Sequence, residues 1–188
     1  AHLYVGKTDD ADINDKVLFK NNTSDSSGAA IYNSVMGAVI INGGVTFESN
    51  VANASGGAIA TYGTLNVSNA AFINNSAKTR GGAIYLSNSN DVYTTRIVNV
   101  TNSLFKGNES TVGGAVAVYA SNTTLSEGGI VEIKNCDFIE SITIPTTTTS
   151  VADFAFKNCQ SLTEINLGTT LTTIGQYAFD GCVSLTKV

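Results

Sequence analysis

A motif that begins with Phe and ends in a run of small residues recurs through the first two thirds of the chain. Each copy reads Phe-x-x-Asn and leads to a run such as Gly56-Gly57-Ala58, which an apolar residue follows. The phenylalanines lie 28, 25 and 33 residues apart, whereas the step from each Phe to the first Gly is nine, nine, nine and eight residues. A constant motif with a variable period predicts a solenoid whose regular coils carry loops of different length. The copies begin at Phe19, Phe47, Phe72 and Phe105.

A short alternating pattern precedes the later copies. In Leu65-x-Val67-x-Asn69 the apolar residues occupy every second position, and the same pattern returns at Val98 and Val131. This alternation predicts β-strands with one buried face. The Asn that follows each strand predicts a turn, because Asn tolerates left-handed backbone and its amide can bond the Asn of the next coil. The predicted asparagine ladder consists of Asn69, Asn102 and Asn135.

A second repeat, with a period of 23 residues, occupies the end of the chain. The segment Ala155–Thr163 returns as Ala178–Thr186. Cys136, Cys159 and Cys182 follow the same step, and residues 135–144 fit both repeat types. We therefore predict one continuous core that crosses from residues 1–133, the β-helical domain, to residues 134–188, the leucine-rich repeats, on a shared axis.

Both repeats resemble known families. The Phe-x-x-Asn and Gly-Gly-Ala-Ile units, over about Val17 to Phe138, resemble the repeats of chlamydial polymorphic outer-membrane proteins. The Ala-Phe-x-x-Cys-x-Ser-Leu-Thr-x-Ile pattern, over about Lys134 to Val188, resembles BspA-type leucine-rich repeats. These resemblances imply an all-β fold, in which a right-handed parallel β-helix solenoid continues into a leucine-rich-repeat solenoid. They also imply a microbial surface protein with an adhesive role.

Stacked coils place equivalent side chains above one another, which predicts two further ladders. The cysteines are expected to be buried thiols, although a disulfide between stacked coils and a reactive thiol remain alternatives. The predicted thiol ladder is Cys136, Cys159 and Cys182, and the predicted aromatic ladder is Phe19, Phe47, Phe72, Phe105 and Phe138.

Charge and hydropathy exclude several classes of partner. The 10 basic and 15 acidic residues give a net charge of -5, and no clustered basic face for nucleic acid is visible. No apolar run reaches the roughly 18 residues of a membrane-spanning helix, so we expect no membrane insertion within this segment. The chain begins with Ala, which suggests a processed or excised segment.

The sequence offers little for catalysis or metal binding. The Asp and Glu residues recur at no fixed repeat position, and there is one His. We predict that the chain is not an enzyme and needs no cofactor. The densest acidic cluster, around Asp10, Asp12 and Asn14, lacks the Gly and Glu positions of an EF-hand and is read as a solvated turn.

Acceptor sequences for N-glycosylation are in mild excess over the roughly four or five expected by chance. They matter only if the chain is a eukaryotic surface protein. The acceptors are Asn21, Asn22, Asn53, Asn66, Asn74, Asn99, Asn108 and Asn122.

These features predict an extracellular or cell-surface repeat protein that acts in adhesion or structural display without catalysis. Its expected partner is a surface protein or glycan of a host or neighbouring cell, or further copies of itself. Because the chain stops within a strand at Ser184–Val188, we expect either a longer array or an open end that stacks on another copy. The alternative function is therefore a self-assembling subunit of an extracellular filament or sheath.

Overall fold

The computed structural model describes residues 2–6, 16–88, 97–120, 130–134, 136–138, 142–144, 150–151 and 153–188. The acidic cluster around Asp10 lies outside the described residues, as do Asn122 and Asn135. The described part contains no helix, and its strands pair in parallel, which confirms the predicted all-β parallel solenoid. The strands are β1 (His2–Gly6), β2 (Val17–Lys20), β3 (Thr23–Ser24), β4 (Ile31–Asn33), β5 (Ala38–Glu48), β6 (Val51–Ala52), β7 (Ile59–Thr61), β8 (Thr64–Ile73), β9 (Ser76–Ala77), β10 (Ile84–Asn88), β11 (Ile97–Thr101), β12 (Leu104–Lys106), β13 (Val116–Ala120), β14 (Ile130–Lys134), β15 (Asp137–Phe138), β16 (Ile142–Thr143), β17 (Ser150–Val151), β18 (Ile165–Asn166) and β19 (Thr173–Ile174).

Equivalent strands of successive coils form sheets that run along the solenoid axis. The first sheet has the order β1-β5-β8-β11-β14, with β2 on β5 and with β12 between β8 and β15. The second sheet has the order β4-β7-β10-β13-β16-β18, and the third joins β3, β6 and β9. A pair, β17 and β19, forms the fourth. Each strand therefore pairs with the strand one coil away, as the repeat pattern requires.

The second sheet continues through the change of repeat type. Strand β13 belongs to the last Phe-x-x-Asn coil, and its Ala117 pairs with Thr143 of β16. Strand β16 then pairs with β18 of the 23-residue repeats through Ile142 and Ile165. One hydrophobic cluster extends from Ile31 to Ala178. The predicted boundary between residues 133 and 134 falls inside β14.

The phenylalanines of the motif stack along the axis inside the core. Phe19, Phe47, Phe72 and Phe105 have ring centroids 4.9, 4.9 and 4.8 Å apart, with ring planes within 7° of parallel. These distances equal the spacing of hydrogen-bonded strands, so the stack follows directly from the coil repeat. The backbone of Phe138 pairs with that of Phe105, which continues the same row.

The asparagines of the motif, which are buried except for the partly exposed Asn22, form a hydrogen-bonded ladder beside the phenylalanines. Asn22 donates from its side-chain amide to Oδ1 of Asn50 at 2.7 Å, Asn50 to Oδ1 of Asn75 at 2.8 Å, and Asn75 to Oδ1 of Asn108 at 2.9 Å. Each of these Oδ1 atoms also accepts the backbone N–H of the preceding Asn. The second amide proton of Asn50, Asn75 and Asn108 goes to the carbonyl of a Phe one coil earlier. The ladder therefore satisfies buried polar groups that would otherwise destabilise the core.

Left-handed residues direct these asparagines inward. The position before each ladder Asn has φ of 56° at Asn21, 54° at Ser49, 53° at Asn74 and 65° at Gly107. Asn and Gly adopt this conformation at the lowest cost, which explains their repeated use at the corner. The motif is thus better written as Phe, a spacer, a left-handed residue and a buried Asn.

The 23-residue repeats stack in the same manner. Phe156 and Phe179 lie 5.3 Å apart at an interplanar angle of 1°, and Cys159 and Ala178 are buried near them. Phe154 and Tyr177 form a second, more exposed stack at 5.5 Å. The 23-residue repeats therefore have an aromatic stack of their own in the core, to which each repeat contributes one Phe.

Candidate ligand-binding groove

An open groove of about 480 Å³ crosses the first sheet where its strands bend. One wall is a row of exposed residues at equivalent positions of successive coils. Lys16, Gly44 and Asn69 each lie directly before a residue that is paired with a neighbouring coil. Asn102 lies two residues before Leu104, as Asn69 lies two residues before its partner Ala71. The coils are about 4.8 Å apart, so this row extends for roughly 14 Å along the axis. We call these four residues the polar row.

The opposite wall is a second row two residues further along each strand. Thr46, Ala71 and Leu104 are aligned in the strand register and are all partly exposed. Between the two rows, the side chains of Val45 and Ala70 are buried in the core. The groove therefore has one wall formed by the polar row and an opposite wall formed by Thr46, Ala71 and Leu104, with Val45 and Ala70 between them.

A bulge in β5 opens the polar row. The register shifts between Asn42 and Val45, so that Gly43 and Gly44 together oppose the single residue Asn69 of β8. Both glycines have positive φ, as does Asn69 at 52°. A bulge with left-handed residues bends a strand locally and re-aims its side chains. Glycine suits both positions because it adopts a positive φ at two consecutive residues without steric cost.

Three polar side chains of the groove have no partner within the described part of the chain, whereas the Ser103 hydroxyl donates to the Thr101 carbonyl and accepts from the Ala70 N–H. No hydrogen bond or ion pair there involves the side chains of Lys16, Asn69 or Asn102. The neighbouring amides of the same sheet behave differently, since Asn99 donates to Oδ1 of Asn66 at 2.9 Å. The groove thus presents hydrogen-bond donors and acceptors that the described part of the chain leaves unused.

The lining supplies no acid–base pair. The described residues of the groove include one Lys and no Asp, Glu, His or Cys. Glycoside hydrolysis and general acid–base catalysis need such groups within reach of a bound substrate. This arrangement can bind and orient a ligand, but its described side chains offer no means of cleaving one.

Two members of the predicted asparagine ladder, Asn69 and Asn102, lie in this groove. Both occupy left-handed turns, with φ of 52° and 49°, as the sequence predicts for a turn Asn. Their side chains are exposed, and the amide-to-amide bonds run instead through the Asn of the Phe-x-x-Asn motif. Sequence reasoning missed that inner ladder, although the constant spacing from Phe to Asn was its signal. Asn135 lies outside the described residues.

The three cysteines are free thiols at equivalent positions of successive coils. Cys136 and Cys159 are buried, whereas Cys182 is partly exposed. The Cys182 thiol donates to the Phe156 carbonyl at 3.0 Å. Burial raises the pKa of the Cys182 thiol above its ordinary value of 9.0, and the Asp180 carboxylate adds to this, while a backbone hydrogen bond from Cys159 opposes it. A neutral, hydrogen-bonded thiol is a packing group and a poor nucleophile.

The glycosylation acceptors divide by environment. Asn21, Asn53 and Asn74 are exposed, and Asn66 and Asn99 are bonded to each other. Asn22 and Asn108 use their amide nitrogens in the inner ladder, and Asn108 is buried. Within the exposed group, Asn53 donates its amide to Oδ1 of Asp25 at 3.3 Å, whereas the described part of the chain contains no side-chain hydrogen bond of Asn21 or Asn74.

A tyrosine cluster lies on the outer face of the second sheet and was not identified from the sequence. The ring centroid of Tyr62 lies 5.4 Å from that of Tyr32 and, in an edge-on arrangement, 6.2 Å from that of Tyr85. Burial raises the pKa of Tyr62, and the neighbouring tyrosines Tyr85 and Tyr32 add to the rise. The available signal was the Ile-Tyr pair that follows the small residues in the first and third copies of the motif.

Comparison with known families identifies both repeats. The Chlamydia polymorphic membrane protein repeat matches residues 16–34, 44–62 and 69–87, and the BspA type leucine-rich repeat region matches residues 132–188. The chain carries both repeat types. The matched ranges contain the groove residues Lys16, Gly44 and Asn69. The coil of Phe105, which stacks on Phe72 in the same way, lies beyond the matched ranges. No curated protein and no solved structure gave a significant match.

Both repeat families are typical of surface proteins and are typically non-enzymatic, which places the chain among surface repeat proteins. Within the described ranges, no helix has the length and hydropathy needed to span a membrane. In the same part of the chain, no three His, Cys, Asp or Glu side chains are grouped so that they could hold a metal ion.

Proposed function

We propose that this chain is the adhesive part of an extracellular surface protein and that it acts by binding, without catalysis. The observation that carries the proposal is the polar row, in which Lys16, Asn69 and Asn102 present unpartnered polar groups at coil spacing. The surface-protein character of both repeats supports the same function. The expected partner is a protein or glycan on the surface of a host or neighbouring cell.

A flow-cell assay with the purified chain immobilised on beads tests this function. We expect the beads to capture cells or matrix, and expect the double variant Asn69→Gly with Asn102→Gly to lose most of this capture. Glycine preserves the left-handed turns, as Gly43 and Gly44 do in β5. The matched control is Asn66→Thr with Asn99→Thr, which removes two amides from the same sheet outside the groove. Capture that is equal for both double variants would remove the groove from the proposal.

A second candidate function is self-assembly into a filament or sheath. The first coil exposes the apolar side chains of Leu3, Tyr4 and Leu18, at 45%, 63% and 54%, and β1 is an edge strand of the described sheet. Exposed edge strands are templates for pairing with another chain. Sedimentation velocity over a range of concentrations tests this function, because assembly requires a sedimentation coefficient that increases with concentration. The variant Leu18→Lys is expected to suppress it.

A further inference from the structure

We propose that Tyr32 and Tyr62 form a site of oxidative modification, at which a one-electron oxidant joins the two phenol rings into dityrosine and links two coils covalently. Tyr32 belongs to the coil of Phe19, and Tyr62 belongs to the next coil, that of Phe47. Their ring centroids lie 5.4 Å apart at an interplanar angle of 42°. The inference concerns the second sheet and depends on neither the groove nor the adhesive function.

The strand register brings these rings together. Tyr32 of β4 is paired with Ala60 of β7, which is paired in turn with Tyr85 of β10. Tyr62 follows Ala60 by two residues and packs against the buried Ala60 and Tyr85. Because Ala60 has only a methyl group, the ring of Tyr62 has room to contact the rings of both neighbouring tyrosines. The sheet therefore holds phenol rings from successive coils in contact.

The exposure of the three rings favours a crosslink over the docking of a ligand. Tyr32 is 58% exposed, Tyr62 is partly exposed and Tyr85 is only 6% exposed. A surface that binds a ligand through aromatic rings needs open ring faces, whereas these rings largely cover one another. An oxidant can reach Tyr32, and the exposed ring can move toward Tyr62 to close the remaining distance.

The reaction balances with hydrogen peroxide as the oxidant and a haem peroxidase as the catalyst. Each phenol loses one electron and one proton, and together these reduce one molecule of hydrogen peroxide to two of water. The two phenoxyl radicals then couple through a carbon ortho to each oxygen. Each of these carbons loses its hydrogen to the neighbouring oxygen, which restores both phenols. The product has one new C–C bond and two hydrogen atoms fewer than the parent.

Few other side chains compete for such an oxidant. The chain contains no Trp. Its thiols are buried at Cys136 and Cys159 and only partly exposed at Cys182. Met36 is 76% exposed, but its thioether gains an oxygen atom and becomes a sulfoxide, which forms no bond to another side chain. A mass difference therefore separates this side reaction from the crosslink.

Two other tyrosines are as exposed as Tyr32 but have different ring neighbours. Tyr4 stacks on His2 with centroids 6.4 Å apart, and Tyr177 stacks on Phe154 at 5.5 Å. An oxidised ring at either position meets no second phenol in these contacts. Tyr4 and Tyr177 are therefore matched controls for exposure without a phenol neighbour.

Treatment of the purified chain with a haem peroxidase and an equimolar amount of hydrogen peroxide tests the inference. We expect the blue fluorescence of dityrosine in the monomer fraction, and a monomer mass that is lower by two hydrogen atoms. The yield per chain should not change on dilution, because the second ring is supplied by the same molecule. Coupling between molecules would instead give dimers on a denaturing gel and would decline on dilution.

Peptide mapping identifies the two rings that are joined. Cleavage after Lys, Arg and Glu releases residues 21–48 and 49–78, in which Tyr32 and Tyr62 respectively are the only tyrosines. We expect these two peptides as one covalent pair that lacks two hydrogen atoms.

Phenylalanine variants keep the rings and remove the reactive hydroxyls. Tyr32→Phe and Tyr62→Phe should each reduce the dityrosine signal of the monomer to background. Tyr4→Phe and Tyr177→Phe should leave the signal as it is in the parent. Circular dichroism and urea unfolding before oxidation show that each variant is folded.

The bond should also fasten the two coils to each other. All three cysteines are free, so no disulfide performs this task. A crosslink within the chain restricts the unfolded state, and we therefore expect oxidation to raise the urea midpoint of the parent but not that of Tyr62→Phe. The inference is wrong if dityrosine forms only between molecules, if another peptide pair is found, if Tyr62→Phe keeps the monomer signal, or if the midpoint of the crosslinked parent does not rise.

Discussion

Oδ1 of Asn75 accepts two hydrogen bonds from Asn50, one from the backbone N–H at 3.1 Å and one from the side-chain amide at 2.8 Å. Both residues are fully buried. One side chain therefore fixes the height and the rotation of the preceding coil at the same time. The same arrangement links Asn22 to Asn50 and Asn75 to Asn108.

The substitution Asn75→Ala is expected to lower the free energy of unfolding by at least about 3 kcal/mol. It leaves the backbone N–H and amide of Asn50 and the carbonyl of Phe47 without their partners, and each unsatisfied buried group costs about 1–3 kcal/mol. Urea unfolding followed by circular dichroism measures the change. The adjacent Asn74→Gly is the control, because Asn74 is exposed and its φ of 53° suits glycine. Its free energy of unfolding should stay within about 1 kcal/mol of that of the parent. Equal midpoints for the two variants would contradict a stabilising ladder.

Two glycines at equivalent positions should respond differently to a methyl group. A Cβ on Gly82 would overlap the carbonyl oxygen of Gly114 and the backbone of Glu109, both in the next coil. A Cβ on Gly114 would meet only the Asn108 carbonyl, at 3.0 Å. We therefore expect Gly82→Ala to push two coils apart and to lower the free energy of unfolding by more than about 3 kcal/mol, the scale of severe overpacking. Gly114→Ala should lower the free energy of unfolding by clearly less. Thermal unfolding of the two variants measures the difference.

The thiols are expected to react in the order of their exposure. Cys182 should be alkylated by iodoacetamide slowly, because its raised pKa keeps it protonated at neutral pH and only part of it is exposed. Cys136 and Cys159 are fully buried and should react only when urea unfolds the chain. Mass spectrometry of timed reactions distinguishes the sites. A disulfide between any two of them, detected without reductant, would overturn the assignment of free packing thiols.

Tyr62 should make stability sensitive to alkaline pH. Its pKa in the folded chain is raised above the ordinary value of 10.0 by burial and by Tyr85 and Tyr32. The neutral form is therefore favoured by folding, so the stabilisation is present below about pH 10 and is lost as the pH rises through the folded pKa. We expect the parent to lose stability above about pH 10 more steeply than Tyr62→Phe. The exposed Tyr177, changed to Phe, is the control, and stability is measured by urea titration at each pH.

Expression through a eukaryotic secretory pathway should reveal which acceptors the fold permits. We expect glycans on the folded, secreted chain at Asn21, Asn53 and Asn74, whose side chains are exposed. Asn108 should be unmodified, because its amide nitrogen donates to the Phe72 carbonyl in the core. Peptide mass spectrometry after deglycosylation in heavy-oxygen water measures occupancy at each site. A glycan at Asn108 in natively folded protein would be incompatible with the inner ladder.

The sequence predicts the axial repeat of this chain well because identical residues recur where identical environments recur. The spacing of Phe47 and Phe72 predicts a stack without any knowledge of the backbone. The spacing of Asn69 and Asn102 is just as regular, yet periodicity alone does not distinguish an inward from an outward asparagine. That choice is made by left-handed backbone at the preceding residue, such as Asn74 before Asn75.

The groove could not be predicted from the repeats. Its row begins at Lys16 and continues through Gly44, which occupy the same place in the repeat as Asn69 but differ from it in chemistry. Only the strand register and the bulge of β5 bring these positions into line. The repeat fixes the position of the row, but the side chains at that position differ between coils, and this variation carries no periodic signal.

The stacking of coils through Asn22, Asn50, Asn75 and Asn108 also determines how the chain responds to mechanical load. A force that draws one end of the chain away from the rod meets the bonds of a single coil at a time, because each coil contacts mainly its nearest neighbours. Extension would then proceed as a series of small unfolding steps at similar force. Each unfolded coil lengthens the chain before the next coil unfolds. A tether of this type dissipates the pull of flowing liquid gradually, while the coils that are still stacked keep their shape.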